Sequence, residues 1–537
     1  MNSEFELKPD QLFRRTDPAQ FHFTSTADLP ALEHVIGQSR AVRAIDFGVD
    51  MPGDGYNIVA VGPAGSGRTT AVRQFLSQRA AERPAPPEWC YVYNFEDARS
   101  PKAISLPPGR AAELRNHMTR LVARLREEIP RTFEGQPYED RRRQLLLQMQ
   151  QRQQALYEEL EHYLNDRNFA LIRSQSGLAI APMLNGEVLT AEAYQKLDPE
   201  IKRRYESYRP DLQEQFDRAM REARDLDREG RKAIESINSE IAGFVVDNLI
   251  AEVREAFADC AKVVAYVDAV RTDVVANVER FVSQEGEQPA IPFLGRDDGE
   301  RWFRRYEVNV LCTTPACACA PVVIEDNPTY ARLMGRVEHR AEFGAMVTDF
   351  TQIRAGALHA ANGGYLVLDA RQVLSNALSW EALKRALRSH EIKIEDMAQF
   401  YGLVAVSSLE PEPIPLDVKV VLITDPTFYQ LLSAYDDDLH ELFKVKAEFI
   451  TVIDRNEESV QDYARFAGEL CRREGLRHMA PDGVARLVDE ASRQVSDQGR
   501  ITTRFSAVAD LVREASFWAG RAKRDLVTAE DVAHAVQ

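Results

Sequence analysis

The sequence has no run of about 18 uncharged apolar residues, the length that a membrane helix needs. A helical membrane span is therefore not expected. Cysteine is scarce, with six in 537 residues at irregular spacing. That pattern excludes a secreted disulfide framework and makes a reducing cytoplasm the expected compartment. Residues 1–6 lack the basic and apolar regions of a secretory leader. Positive charge is in deficit, with 67 Lys and Arg against 84 Asp and Glu, a formal net charge of −17. Broad, sequence-independent binding of nucleic acid is disfavoured by that balance, although a local basic patch is not. There is no short-period repeat and no low-complexity tract.

What is present suits a soluble globular chain, with 44% hydrophobic and 28% charged residues. At about 150 residues per domain, the length allows several domains. Residues 57–70 are the most informative stretch: Asn-Ile-Val-Ala-Val-Gly-Pro-Ala-Gly-Ser-Gly-Arg-Thr-Thr. The run 58–61 reads as a buried strand, the chain turns through Gly62, Pro63, Ala64, Gly65, Ser66 and Gly67, and a helix opens at Thr69. The pattern is a phosphate loop, G-x-x-x-x-G-K-[ST], with Arg68 in the Lys position. Such glycines let backbone N–H groups wrap a polyphosphate at a helix N-terminus. Thr69 is the expected magnesium ligand, and Thr70 completes the loop. Arg68 keeps the charge but is a planar fork rather than a point donor. Phosphate binding is expected to survive this change, and hydrolysis is the function at risk. The plainer alternative is a Gly-rich turn between a strand and a helix.

Residues 363–369 form a second apolar strand that ends in Asp369, where a carboxylate holds the water shell of magnesium. Ring-forming P-loop ATPases usually follow this Asp with a Glu that polarises the attacking water. Here Ala370 follows, so either another carboxylate substitutes or turnover is slow or absent. The strand 418–423 runs into Thr424 and Asp425. Asp425 is a candidate to orient the attacking water, against a plain strand-ending turn before Pro426. Lys444, with Lys446 second, is a candidate cation for a neighbour's γ-phosphate, against a surface lysine. Arg500 and Arg504 open a helix over 504–522, and Arg504 is a candidate to close a lid onto phosphates, against a surface ion pair.

The texture between about residues 110 and 283 is different. Helical spacing recurs at Leu114, Met118, Leu121 and Leu125, with Pro130 expected to break the helix, and again over about 199–242. Asn185-Gly186 between apolar residues signals a hairpin. The expected feature is a pair of antiparallel helices carrying a β-hairpin and protruding as an arm, against a compact helical subdomain. Further strands are expected at 89–95 and 306–311, and helices at 460–474, 481–496 and 528–536. Cys312, Cys317 and Cys319 fit no common zinc spacing. His359 reads as a core or capping histidine. Phe343 and Met346 are candidates to grip a substrate, against plain packing.

These residues resemble the AAA+ ATPases, specifically the module of Lon-related ATP-dependent proteases with a long helical insertion. The resemblance covers nearly the whole chain, through residues 35–38, 62–70, 89–95, 321–330, 356–369 and 439–449. It implies a three-layer α/β P-loop core, a coiled-coil-like helical insertion with a hairpin, and a C-terminal helical lid. The corresponding expectation is an N-terminal segment at 1–30, core at 31–109 and 284–453, insertion at 110–283 and lid at 454–537. The resemblance implies ATP and Mg²⁺ as cofactors, Ile36, Gly37 and Gln38 beside the adenine, and tolerance of Arg68. It implies a homo-oligomeric ring, a hexamer, acting on unfolded or damaged polypeptides threaded through a pore. Such proteins continue into a serine–lysine protease domain, and no such dyad can be assigned within these 537 residues. The expectation is a piece of a longer chain, against a free-standing ATPase, and in either case one that itself cuts no peptide bond. Two rivals stand beside the motor reading: a degenerate, non-hydrolysing scaffold that gates substrate access, and a remodeller of nucleic acid, which the acidic balance opposes.

Overall fold

The structure is a computed structural model. It describes residues 12–32, 35–174, 177–184, 186–282, 297–313, 319–342, 345–395 and 409–537. The chain forms two compact units, Met1–Arg115 with Val308–Gln537, and Asn116–Glu307. The boundary falls within the helix Arg110–Phe133.

The first unit is built on a five-stranded parallel sheet. Its strands in chain order are β1 (Ile58–Val61), β2 (Val322–Glu325), β3 (Gly364–Asp369), β4 (Val418–Thr424) and β5 (Val445–Glu448), and their spatial order is β5-β1-β4-β3-β2. Alternating apolar residues make two cores. Val59, Leu366, Leu368, Val420 and Leu422 enter one, and Ile58, Ala60, Tyr365, Val367, Val421 and Ile423 enter the other. A sheet buried on both faces needs continuous apolar runs, and β1, β3 and β4 have them. Because all pairs are parallel, the carboxyl ends of β1 to β4 share one edge. That edge is where open α/β sheets bind ligands.

A separate antiparallel sheet joins Lys102–Leu106, Glu88–Val92 and Val308–Val310. The lid is four helices, Glu457–Glu474, Pro481–Val495, Phe505–Arg521 and Ala529–Val536, around their own core. Arg500 does not open a helix, contrary to the sequence expectation. It lies in the strand Arg500–Thr502, which pairs with Val452–Asp454. Residues 13–30 carry two short 3-10 turns, Pro18–Gln20 and Thr26–Asp28. They are pinned to the lid: Thr16 donates to Asp489 at 2.6 Å, and the buried Arg455 pairs with that same carboxylate at 2.8 Å.

In the second unit, the helix Arg110–Phe133 runs through Pro130, which does not break it. The proline removes one N–H bond near the helix end, and its own carbonyl still accepts from Glu134 N at 2.9 Å. The helix expected over 199–242 continues as Pro199–Ala256, 58 residues or about 87 Å at ~1.5 Å per residue. It runs antiparallel to Gln136–Asn165. Tyr138 meets Asn238, Arg141 meets Glu240, and Tyr163 meets Asp211. Between them Gly177–Leu184 pairs with Glu187–Val188, and a further strand, Phe169–Ser174, joins the sheet. Gly186 takes φ 86° at the turn; Asn185 lies outside the described residues.

Candidate functional site

β1 leads through residues 62–67 into the helix Arg68–Ala81, hereafter α1. Gly65 and Gly67 take φ of 79° and 76°, left-handed values that suit glycine. Gly67 caps α1 without a side-chain bond, so the first-turn N–H groups are not spent on a capping side chain. The loop is braced from below: Gly62 N–H donates to the Thr424 carbonyl at 3.2 Å, and Ser66 Oγ donates to the Pro63 carbonyl at 2.9 Å. Pro63 is half-buried, while Ala64, Thr69 and Thr70 are exposed. A Cβ on Gly65 would meet Ser506 Oγ at 2.1 Å, because the lid helix Phe505–Arg521 starts against the loop.

Arg68 donates Nη1 to the Thr424 carbonyl. Burial lowers its pKa, and the nearby Asp369 and Asp425 carboxylates oppose that shift. Arg68 and these two acids therefore converge at the tips of α1, β3 and β4. Asp369 Oδ1 accepts from Arg371 N and Gln372 N at 2.9 and 3.1 Å and so caps the short helix Ala370–Leu374. Asp425 Oδ1 caps Pro426–Tyr435 by accepting from Phe428 N at 2.8 Å. Its Oδ2 accepts from Arg371 Nη2 at 2.9 Å. The Phe428 N–H and then Arg371 hold the Asp425 carboxyl below the usual range.

Lys444 stands elsewhere. Val445 is in register with Ile58, so Lys444 lies at the amino end of the sheet, opposite the loop. Its Nζ donates to the Asp54 carbonyl at 2.8 Å and sits 5.0 Å from the Tyr56 ring. Lys446 pairs with Glu448 at 3.5 Å. Arg504 is exposed at the N-cap of the lid helix. Two residues on, Ser506 N–H donates to the Gly65 carbonyl at 3.5 Å. Arg371 and Ser506 were not singled out in the sequence; only strand register and lid packing bring them to the site.

Ile36 and Gln38 are each 2% exposed. Gln38 exchanges two bonds with the Ile450 backbone, at 2.8 and 3.0 Å. Gly37 takes φ 66°, and a Cβ there would meet Ile453 Cγ2 at 2.5 Å. A cleft of about 890 Å³ runs along Ile36, Gly37, Ala71 and Phe75 to the lid residues Ile453 and Asn456. That size suits a cofactor. No group of three or more metal-capable side chains occurs among the described residues. Magnesium does not need one, since it is held by one or two protein oxygens plus phosphates and water. The exposed Thr69 hydroxyl, and Asp369 with both capping bonds on Oδ1, fit that role.

The remaining candidates have other surroundings. Met346 is 46% exposed on the hairpin Arg340–Glu342/Ala345–Val347; Phe343 lies outside the described residues. Cys317 also lies outside them, and burial pushes the Cys312 thiol up to about 11. His359 is buried, and its Nδ1 accepts from Gly356 N at 3.2 Å, a capping role. Burial lowers its imidazole to about 4, whereas an unfolded His titrates near about 6.5. Between those values the unfolded chain binds a proton that the folded chain excludes, so stability falls as pH drops through that window. At ~1.36 kcal/mol per pH unit, the loss reaches about 3 kcal/mol at the lower end. Urea midpoints should fall more steeply with acid in the natural chain than in His359→Asn, and equal slopes would contradict this.

The described geometry agrees with family matches. A model described as "LonB-like, AAA domain" matches residues 318–450. Residues 318–450 thus carry a Lon-related AAA+ module. A second model, "Archaeal LonB, AAA+ ATPase LID domain", matches 478–537, the region of the last three lid helices. A third, "Lon-like LonC helical domain", matches 88–121. The archaeal Lon protease of Halobacterium salinarum is 24% identical over 206 residues, 38% of this chain and 29% of that protein. The archaeal Lon protease of Thermoplasma volcanium is 24% identical over 37% of this chain and 30% of that protein. The match thus spans less than a third of the length of either relative. A solved structure of NtrX from Brucella abortus in complex with ATP aligns at 15% identity over 53% of this chain and 59% of that one, at a TM-score of 0.26, and carries no weight for this AAA+ module.

Proposed function

We propose that the chain is the ATPase part of a Lon-like protease. It binds Mg·ATP, hydrolyses it, and drives unfolded or damaged polypeptide towards a protease domain. The observation that carries this reading is the convergence of Arg68, Asp369 and Asp425 on the glycine loop at the carboxyl edge of the sheet. The free amides at the start of α1 and Arg68 hold the phosphates, and the Ile36–Gly37 side of the cleft takes the base. Thr69 and Asp369 would hold magnesium, which supplies charge neutralisation at the β- and γ-phosphates. Arg504 closes the lid side. Lys444 serves the neighbouring subunit of a homo-oligomeric ring, which we take to be a cytoplasmic hexamer.

A second reading is a non-hydrolysing scaffold. Ala370 and the engagement of Arg68 with the Thr424 carbonyl favour it. Steady-state ATPase assays with and without an unfolded protein separate the two. Turnover that rises with substrate supports the motor, whereas saturable binding of ATP without turnover supports the scaffold.

A further inference from the structure

Residue 370 is where ring-forming ATPases usually keep the carboxylate that polarises water, and here it is Ala370, 1% exposed within an apolar core. The acids around the loop do not replace it equally well. Asp369 is needed for magnesium. Asp425 has both oxygens engaged, by Phe428 N and Arg371, and is held below the usual carboxylate range, which weakens it as a base.

The neighbouring strand offers another acid. β2 pairs in parallel with β3, with Leu368 in register with Glu325. Leu368 and Ala370, the first residue of the helix after β3, enter the same core, whereas Val367 enters the opposite one. Glu325 flanks Leu368 on that shared face, one strand away, a spacing of about 4.8 Å. It is the last residue of β2, at the same carboxyl edge as the loop. Its side chain is 18% exposed, and Oε1 lies 3.5 Å from Arg332 Nη1. Oε1 also accepts from Asn327 N at 2.8 Å, which fixes the carboxylate, and Oε2 has no hydrogen bond among the described residues.

We propose that Glu325 is the general base for ATP hydrolysis, standing in from β2 for the acid missing at position 370. The inference rests on the ATPase reading given above. A water oxygen bonds to the γ-phosphorus, and the bond from that phosphorus to the β,γ-bridging oxygen breaks. ADP leaves with the electron pair, and the water's proton passes to Glu325 Oε2. The products are ADP and inorganic phosphate.

Single-turnover hydrolysis of Mg·ATP by the full chain tests this. A positioned base contributes about 10²–10⁴-fold. Glu325→Gln should therefore slow the chemical step at least about 100-fold, while a fluorescent ATP analogue binds as tightly as before. Gln keeps the acceptor for Asn327 N, so the turn should survive. Glu325→Asp keeps a carboxylate at shorter reach and should retain intermediate activity, which guards against misfolding of the Gln variant. The acid limb of the rate–pH profile should vanish in Glu325→Gln. Hydrolysis by Glu325→Gln at the natural rate overturns the assignment and leaves the ATPase reading standing. Slow hydrolysis with the acid limb intact reduces Glu325 to a structural role. A natural chain that binds Mg·ATP and never turns it over overturns both readings.

Discussion

Arg68→Ala should cost at least about 100-fold in affinity for Mg·ATP, and on direct titration binding should fall out of the measurable range. Charge-assisted bonds to a phosphate contribute about 1.5–3 kcal/mol each, and a guanidinium commonly makes two in parallel. The surroundings amplify the loss. Arg68 lies near both Asp369 and Asp425. Without it, those carboxylates face an incoming polyphosphate with less neutralisation. The change should also free the Thr424 carbonyl, which braces the base of the loop through Gly62 N–H at 3.2 Å. Arg68→Lys should bind nucleotide, since it restores the charge and gives up only the planar fork. Undiminished binding of a fluorescent ATP analogue by Arg68→Ala would exclude the loop as the phosphate site.

Lys444→Ala should leave nucleotide affinity nearly intact and lower hydrolysis by about 10³-fold, the lower range for a cation supplied to a phosphoryl-transfer site. Within one chain, Lys444 lies at the sheet edge opposite the loop, tied to the Asp54 carbonyl and the Tyr56 ring. It therefore does not serve its own loop. Any part in hydrolysis is played on a neighbouring copy, and it must release Asp54 to play it. Mixing Lys444→Ala with Arg68→Ala should partly restore activity, because some interfaces then pair an intact loop with an intact cation. Mixed assemblies that stay inactive would make Lys444 a surface lysine.

The parts of the fold that were legible in the sequence are those fixed by local chemistry. The run Ile58 to Val61 and the apolar strands ending at Asp369 and Thr424 announce themselves, because a sheet covered on both faces leaves few polar positions along them, Lys419 being one. Two strands of the same sheet did not. Val322–Glu325 and Val445–Glu448 are four residues each, and the second alternates Val-Lys-Ala-Glu as an edge strand does. Pro130 was over-read, since near the end of a helix the missing N–H removes a single bond.

The candidate site was legible in its loop but not in its lateral contacts. Glycine spacing pointed to residues 62–67, and the positive φ values of Gly65 and Gly67 follow from it. Nothing along the chain links Glu325 to Asp369, or Ser506 to Gly65, because those neighbours come from strand register and lid packing. Sequence position also did not show that Asp369 and Asp425 act as N-caps. Each caps the helix that follows its strand, and capping alone would explain an acid there.

The central claim is that the loop over residues 62–70 binds Mg·ATP. Calorimetric titration of the natural chain with Mg·ATP, run beside Arg68→Ala, tests it most directly. The account predicts saturable binding of one nucleotide per chain, lost in the variant. No saturable binding by the natural chain, or equal binding by both, would contradict it.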